Sequence, residues 1–292
     1  MLEHLNASPT APSRVVILGR EGFVASTLAA TLDAAGINHL ALGHAEHDLT
    51  APAAAEQIAA TLEETDTLVF VSAIAPSRDA AAMATNMRMV DSVAQAVSTR
   101  PVSHLINISS DAVYEDAAHL VHEGLAPAPG SPHGAMHLAR EILLSGAMKG
   151  AGVPLAHLRP SLLYGAADPH NGYGPNRYRR QAQAGETITL FGEGEEKRDH
   201  VAIEDVAALI SQVIQYRSTG ILNVATGTSR SFRECAELAV EIAGKGGVSG
   251  TPRQNPITHR HFDVTARLKA FPAFSFIDFD EGFRKSFNRV DS

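Results

Sequence analysis

The 292-residue sequence has no tryptophan, one cysteine and few aromatic residues, and each shortage excludes a class of protein. A lone Cys235 makes no internal disulfide, so this is not a disulfide-stapled secreted domain, and a reducing compartment is expected. No apolar run approaches the roughly 20 residues of a membrane helix. Basic residues are the minority, 24 against 32 acidic, for a net charge of −8. A nucleic-acid face would need the opposite balance. Residues 1–13 lack the basic-then-apolar order of a signal peptide and read as a disordered leader. The expectation is a cytoplasmic globular protein with neither a membrane nor a nucleic-acid partner.

What is present is alternation. Short apolar runs at Val15–Leu18, His39–Leu42, Leu68–Val71, Leu105–Ile108 and Val153–Leu158 read as strands. Between them, Phe23–Ala35, Ala53–Leu62, Asp79–Val97 and Ser131–Met148 carry apolar residues at helical spacing. Crossovers of that length make the strands parallel, with helices on both faces: an α/β, doubly wound Rossmann sheet. Beyond Arg159-Pro160 the regularity fades. Gly and Pro mark a loop at 165–175, three further helices fall near 178–184, 204–215 and 232–242, and 244–256 reads as a surface loop. The expected division is a dinucleotide-binding domain over 14–165, rejoined by 197–226. A smaller, interleaved C-terminal substrate lobe takes 166–196 and 227–292.

The sharpest motif is Gly19-Arg20-Glu21-Gly22-Phe23-Val24-Ala25, between the first strand and first helix. Gly19 permits the tight turn, Gly22 the approach of a pyrophosphate, and the helix N-terminus at Phe23 and Val24 faces negative charge. Ala25 stands where a third glycine is usual. An acidic residue closing the second strand would select NAD, but Gly43-His44 carries none. Arg20 and His44 suit a 2′-phosphate equally, so NAD or NADP stays open. Asp48 is placed either to meet the adenine or to serve as a turn residue.

At this point the chain resembles the extended short-chain dehydrogenase/reductases, the NAD-dependent epimerase/dehydratase group acting on nucleotide sugars, from about Arg14 to Phe287. The resemblance rests on the glycine loop and Asn86, on Ile108-Ser109-Ser110-Asp111-Ala112-Val113-Tyr114, and on Arg159-Pro160-Ser161-Leu162-Leu163-Tyr164-Gly165. It continues through 191–201, with Arg198, and Glu204-Asp205-Val206-Ala207. It implies that Asn86 steadies the central helix at the cofactor, Ser110 contacts the reacting substrate, Asp111 lies beside it, and Arg198 grips a diphosphate. It also implies a homodimer through the helices 79–97 and 131–148, with Met83, Met87, Val90 and Val93 as spare apolar positions.

The departure matters more. The family's Tyr-x-x-x-Lys pair, its proton-transfer acid/base and the lysine that tunes it, falls on His133 and His137. Either His133 replaces the tyrosine, since imidazole titrates near neutrality, with His137 touching the ribose; or hydride chemistry is lost and a non-catalytic NAD(P)-binding sensor or scaffold remains; or Tyr114 or Asp111 moves the proton. Asp111 followed by Ala112 rather than Glu counts against 4,6-dehydration. His133, His137 and Glu141 share a helix face at metal-ligand spacing, but the resemblance turns that face to the cofactor, and no metal is expected. His259 and His261 share a strand face and read as surface residues. Arg177, Arg179 and Arg180 read either as a diphosphate-facing cluster or as a solvated helix face. The resulting expectation is an NAD(P)-dependent oxidoreductase or epimerase of nucleotide-sugar type with atypical catalytic residues.

Overall fold

The computed structural model describes residues 2–116 and 119–288. Its main sheet contains β1 (Glu3–His4), β2 (Arg14–Leu18), β3 (His39–Leu42), β4 (Asp66–Phe70), β5 (His104–Ile108) and β6 (Leu155–Pro160). β7 (Leu162–Tyr164), β8 (Thr187–Leu190) and β9 (Lys197–Ala202) lie outside it, and β10 (Ser218–Val224) completes it. The strand order is β1-β10-β6-β5-β4-β2-β3, all parallel except β1. Successive side chains of β2 alternate between two cores: Val15 and Ile17 meet one, Val16 and Leu18 the other. Helices α1 (Phe23–Ala34) and α6 (Ile203–Gln215) pack together over the first face; α2 (Ala54–Thr61), α3 (Ala80–Thr99) and α4 (Pro132–Ala151) cover the second. This is the doubly wound architecture expected. Its strand order reverses at β2, because β3 lies on one side and β4 on the other. Such a switch opens a crevice at the strands' carboxyl ends.

A smaller body holds α5 (Pro175–Ala184), β11 (Ser229–Ser231), α7 (Phe232–Ala243), β12 (Gly247–Gly250) and α9 (Phe279–Phe287), whereas α8 (Thr265–Ala270) packs on β10 and the core of the main sheet. β7, β9 and β11 form a three-stranded sheet, and β8 pairs with β12. Within 197–226, α6 and β10 rejoin the main sheet whereas β9 does not. Phe232, Cys235, Leu238, Phe279 and Phe283 build the core of this body.

Three sequence readings need correction. Residues 2–13 are not the disordered leader expected: β1 pairs antiparallel with β10, and His4 Nδ1 lies 2.7 Å from Ser218 Oγ, its ring stacked on Tyr216. The pairing covers the first two residues of the β10 edge, Ser218 and Thr219; Met1 lies outside the described residues. The loop read at 244–256 contains β12, a strand too short and glycine-rich to show alternation. Val90 and Val93 are buried in the sheet-facing core and Met87 packs against it, so they are not spare. Among the described residues, no helix is long and apolar enough to cross a membrane.

Candidate active site

The carboxyl ends of β2, β3, β4, β5 and β6 open into a cavity of about 1040 Å³. Its floor begins at the glycine loop. Gly19 has φ +113, and a Cβ there would stand 2.9 Å from Ser72 Oγ, so only glycine fits. Gly22 caps α1 with no side-chain acceptor and no acidic residue in the first turn, while its own N–H bonds to Gly19 O at 2.8 Å. Gly22, Phe23 and Val24 line the cavity, which presents an uncapped helix N-terminus suited to an anion. Ala25 is fully buried beneath.

Arg20 is not on the cavity wall. Its guanidinium pairs with Glu46 at 2.8 Å and Glu21 at 3.1 Å, and the second Glu46 oxygen accepts from Gly43 N at 3.0 Å. Glu46 is a carboxylate that the sequence reading passed over, four residues beyond the end of β3. It sits below its usual range because Arg20 and the Gly43 amide hold its charge. His44 and Asp48 both line the cavity; Asp48 accepts from Thr50 N and Oγ1 and is likewise lowered. Asn86 lies below the wall, buried, binding Ile74 N at 2.9 Å and Ile74 O at 3.1 Å. It therefore fixes the backbone after β4, which does line the cavity.

The opposite wall brings Ser110, Asp111, His133 and His137 together. Gly134 permits this: a Cβ there would meet the Ala112 carbonyl oxygen at 1.9 Å, so α4 closes onto the 3-10 turn Asp111–Val113 only because that position is bare. Ser131 caps α4 by accepting from Gly134 N. His133 is half-buried, and its Nδ1 accepts from Ser77 N at 3.4 Å. A backbone N–H only donates, so the neutral ring carries its proton on Nε2. Burial lowers the His133 pKa, with Asp111 pulling the other way. His137, perpendicular to it at 4.7 Å between ring centroids, is held far lower by burial and by Arg140 and His133. Among the described residues its buried Nδ1 has no hydrogen-bond partner. Ser110 Oγ accepts from Ala112 N at 3.1 Å.

Beneath this wall run two buried arginines. Arg140 donates to Phe70 O and Ser72 O at 2.6 Å each and to Asn107 Oδ1, with its guanidinium 3.5 Å from the Phe70 ring centroid. Burial brings its pKa down to about 9. Arg159 pairs with Glu141 through Nε–Oε1 at 2.9 Å and NH2–Oε2 at 2.6 Å, and donates to Tyr114 Oη at 2.5 Å. Tyr114 donates to Asn223 Oδ1 and is buried there, away from the cavity wall.

At the far end, Arg198 and Arg260 both line the cavity. Asp116 bridges them, at 3.0 Å to Arg198 and 2.8 Å to Arg260, and Arg260 also pairs with Asp111 at 2.9 Å. Arg260 was missed in the sequence. The alternation that put His259 and His261 on one face puts Arg260 on the other. Arg177, Arg179 and Arg180 are not on the wall; Arg179 is buried, donating to Ala166 O at 2.8 Å. Among the described residues no cluster of three or more His, Cys, Asp or Glu side chains is arranged to hold a metal ion.

The sequence model of the NAD dependent epimerase/dehydratase family matches residues 15–225. A UDP-glucose 4-epimerase of Mycolicibacterium smegmatis is 28% identical over 276 residues, covering 83% of this chain and 86% of that protein. Among solved structures, the UDP-glucose 4-epimerase of Thermus thermophilus in complex with NAD superimposes with a TM-score of 0.83 at 22% identity, over 94% of this chain and 98% of that one. RMD from Pseudomonas aeruginosa, complexed with NADPH, gives 0.82 at 21%, over 94% and 97%.

Proposed function

The chain belongs to the NAD dependent epimerase/dehydratase family, and from that premise we propose that it is an NAD(P)-dependent oxidoreductase or epimerase acting on a nucleotide sugar, with His133 as its proton-transfer residue. The observation that carries the reading is the seat of His133. Its ring forms part of the cavity wall with Ser110 and Asp111, on a helix that the Gly134 contact presses against them. A ring packed away from the cavity would favour the sensor or scaffold instead.

The residues present fit a dinucleotide. The Gly19 turn leaves no room for a Cβ, the α1 N-terminus is uncapped, and the buried His137 Nδ1 lacks a partner. Gly19, Gly22, Phe23 and Val24 would hold the pyrophosphate, His44 and Asp48 the adenosine end, and His137 the nicotinamide ribose. Glu46 supports NAD over NADP, because it neutralises Arg20 and places a carboxylate near the strand end. When bound, such a cofactor supplies reversible hydride transfer.

The chain's own chemistry then falls to three groups. Ser110 orients the substrate oxygen by hydrogen bond. His133, resting neutral, offers its Nε2–H to a keto oxygen as a hydrogen bond and delivers a full proton only from its imidazolium form. To take a proton from a hydroxyl it must release Ser77 N, a bond at the long end of the range and weak enough to give up. Arg198 and Arg260 meet the diphosphate by exchanging one Asp116 contact each for phosphate oxygens. A homodimer over α3 and α4 belongs to the same proposal, supported by Ile142 and Leu143, 62% and 50% exposed on α4.

Calorimetry with NAD, NADH, NADP and NADPH, followed by a nucleotide-sugar panel with product analysis, tests this. Turnover that is lost in His133→Gln while dinucleotide affinity persists supports it. Tight dinucleotide binding with no product from any sugar turns the reading to the sensor or scaffold.

A further inference from the structure

Beside β9 lies a second cavity, of about 440 Å³, sharing no lining residue with the first. Arg230, Arg267, Phe274, Phe276, Phe279 and His200 contribute to its wall. Arg267 is only 7% exposed, yet among the described residues no carboxylate lies within ion-pair distance of it. Its NH1 donates to Phe274 O at 3.2 Å, and among the described residues its Nε has no hydrogen-bond partner. Asp199 acts on it only through space, since the Asp199 oxygens already accept from Ser161, Thr226 and Gly227. A buried cation with one hydrogen bond is costly unless something else meets it.

The surroundings say what would. Arg230 adds a second guanidinium, held at 2.8 Å by Asp280 and 5.1 Å from the Phe279 ring centroid. The Arg267 guanidinium lies 5.2 Å from the Phe276 ring centroid. His200 is buried, among the described residues neither of its ring nitrogens is hydrogen-bonded, and burial beside Arg198 and Arg230 keeps it neutral, with a pKa of about 3. The acidic wall residue Asp278 is engaged in capping α9, accepting from Asp280 N and Glu281 N. The cavity thus joins unmet positive charge to phenylalanine walls, within the size range of small-ligand sites.

We propose that this cavity binds a small organic anion, its carboxylate or phosphate head paired with Arg267 and Arg230 and its ring-sized apolar body against Phe274, Phe276 and Phe279. Guanidinium forks match either head group in bidentate fashion. The site stands independently of the reaction proposed above.

The test is calorimetric titration of the full chain with benzoate and with phenyl phosphate, using benzyl alcohol as the neutral isostere, each with and without saturating NAD. Expected is saturable binding of at least one anion, unchanged by NAD and about tenfold or more weaker for benzyl alcohol and for Arg267→Met. Which anion binds identifies the head group. In the wild-type protein, the Arg267 Nε–H NMR resonance shifts as the site fills, which decides the matter even if Arg267→Met fails to fold. Equal binding of benzyl alcohol, competition by NAD, an unmoved Arg267 resonance, or no saturable binding of either anion overturns the proposal.

Discussion

Replacing Arg159 by methionine strips Glu141 of two charge-assisted hydrogen bonds, at 2.9 and 2.6 Å, in a place that water does not reach. Among the described residues, Ser109 Oγ, at 2.5 Å, is then the carboxylate's one remaining hydrogen-bond donor. The pair presently holds Glu141 below the usual carboxylate range despite its burial. Breaking a buried pair from one side costs about 3–5 kcal/mol, chiefly because an uncompensated charge stays behind. Set against a total stability of about 5–15 kcal/mol, that is a large fraction. Removing the charge as well, in Arg159→Met/Glu141→Leu, leaves mainly the loss of the Tyr114 and Ser109 bonds, about 1–3 kcal/mol. The double variant should therefore be more stable than Arg159→Met alone. Urea unfolding at pH 7.5, followed by far-ultraviolet circular dichroism across the four-member cycle, reads this directly. The reasoning fails if Arg159→Met loses less than about 1 kcal/mol, or if the double variant loses the sum of the two singles.

Gly19→Ala forces a side chain into a left-handed turn against Ser72, so dinucleotide affinity should fall by at least about tenfold in calorimetry; an unchanged affinity removes the turn from the site. Gly134→Ala pushes α4 off the Ala112 carbonyl and displaces His133 and, one turn on, His137, so kcat should drop by about a hundredfold and dinucleotide affinity should weaken by a smaller factor. Stability should fall on acidification. His104 and His157 are pushed down to about 4 by burial, so from about pH 6.5 the unfolded chain takes protons that the fold refuses. At pH 5 this removes about 2 kcal/mol per histidine. Asp205, raised to about 6 by burial, works the other way and offsets about 1 kcal/mol. Urea midpoints that rise between pH 7.5 and 5 would contradict this.

The sheet was legible because its central strands β2, β4, β5 and β6 are buried almost throughout. Runs such as Val15–Leu18 and Leu68–Val71 are apolar without a break, and the helices between them carry their own periodicity. β1 and β12 were not legible, being two and four residues long and defined by their partners. The glycine loop was readable because a turn is local chemistry. Arg260 was not, since it reaches Asp111 across 149 positions. Arg140 sits one turn beyond His137, where a helical pattern cannot show that a cation is buried. The stripe containing Val90 and Val93 shows that α3 has an apolar face, but only packing shows what covers it.

Arg140 also determines where this molecule can yield. One guanidinium holds Phe70, Ser72 and Asn107, so the ends of β4 and β5 move as a single block with α4. The floor of the cavity is therefore rigid in the direction that would pull its central strands apart. Any accommodation of ligands of different size must come from the roof, where Asp168–Asn176 and the segment bearing Arg260 join the wall without a sheet behind them. Breadth or narrowness of substrate choice would then be tuned by changes in those segments, while the inherited floor stays the same.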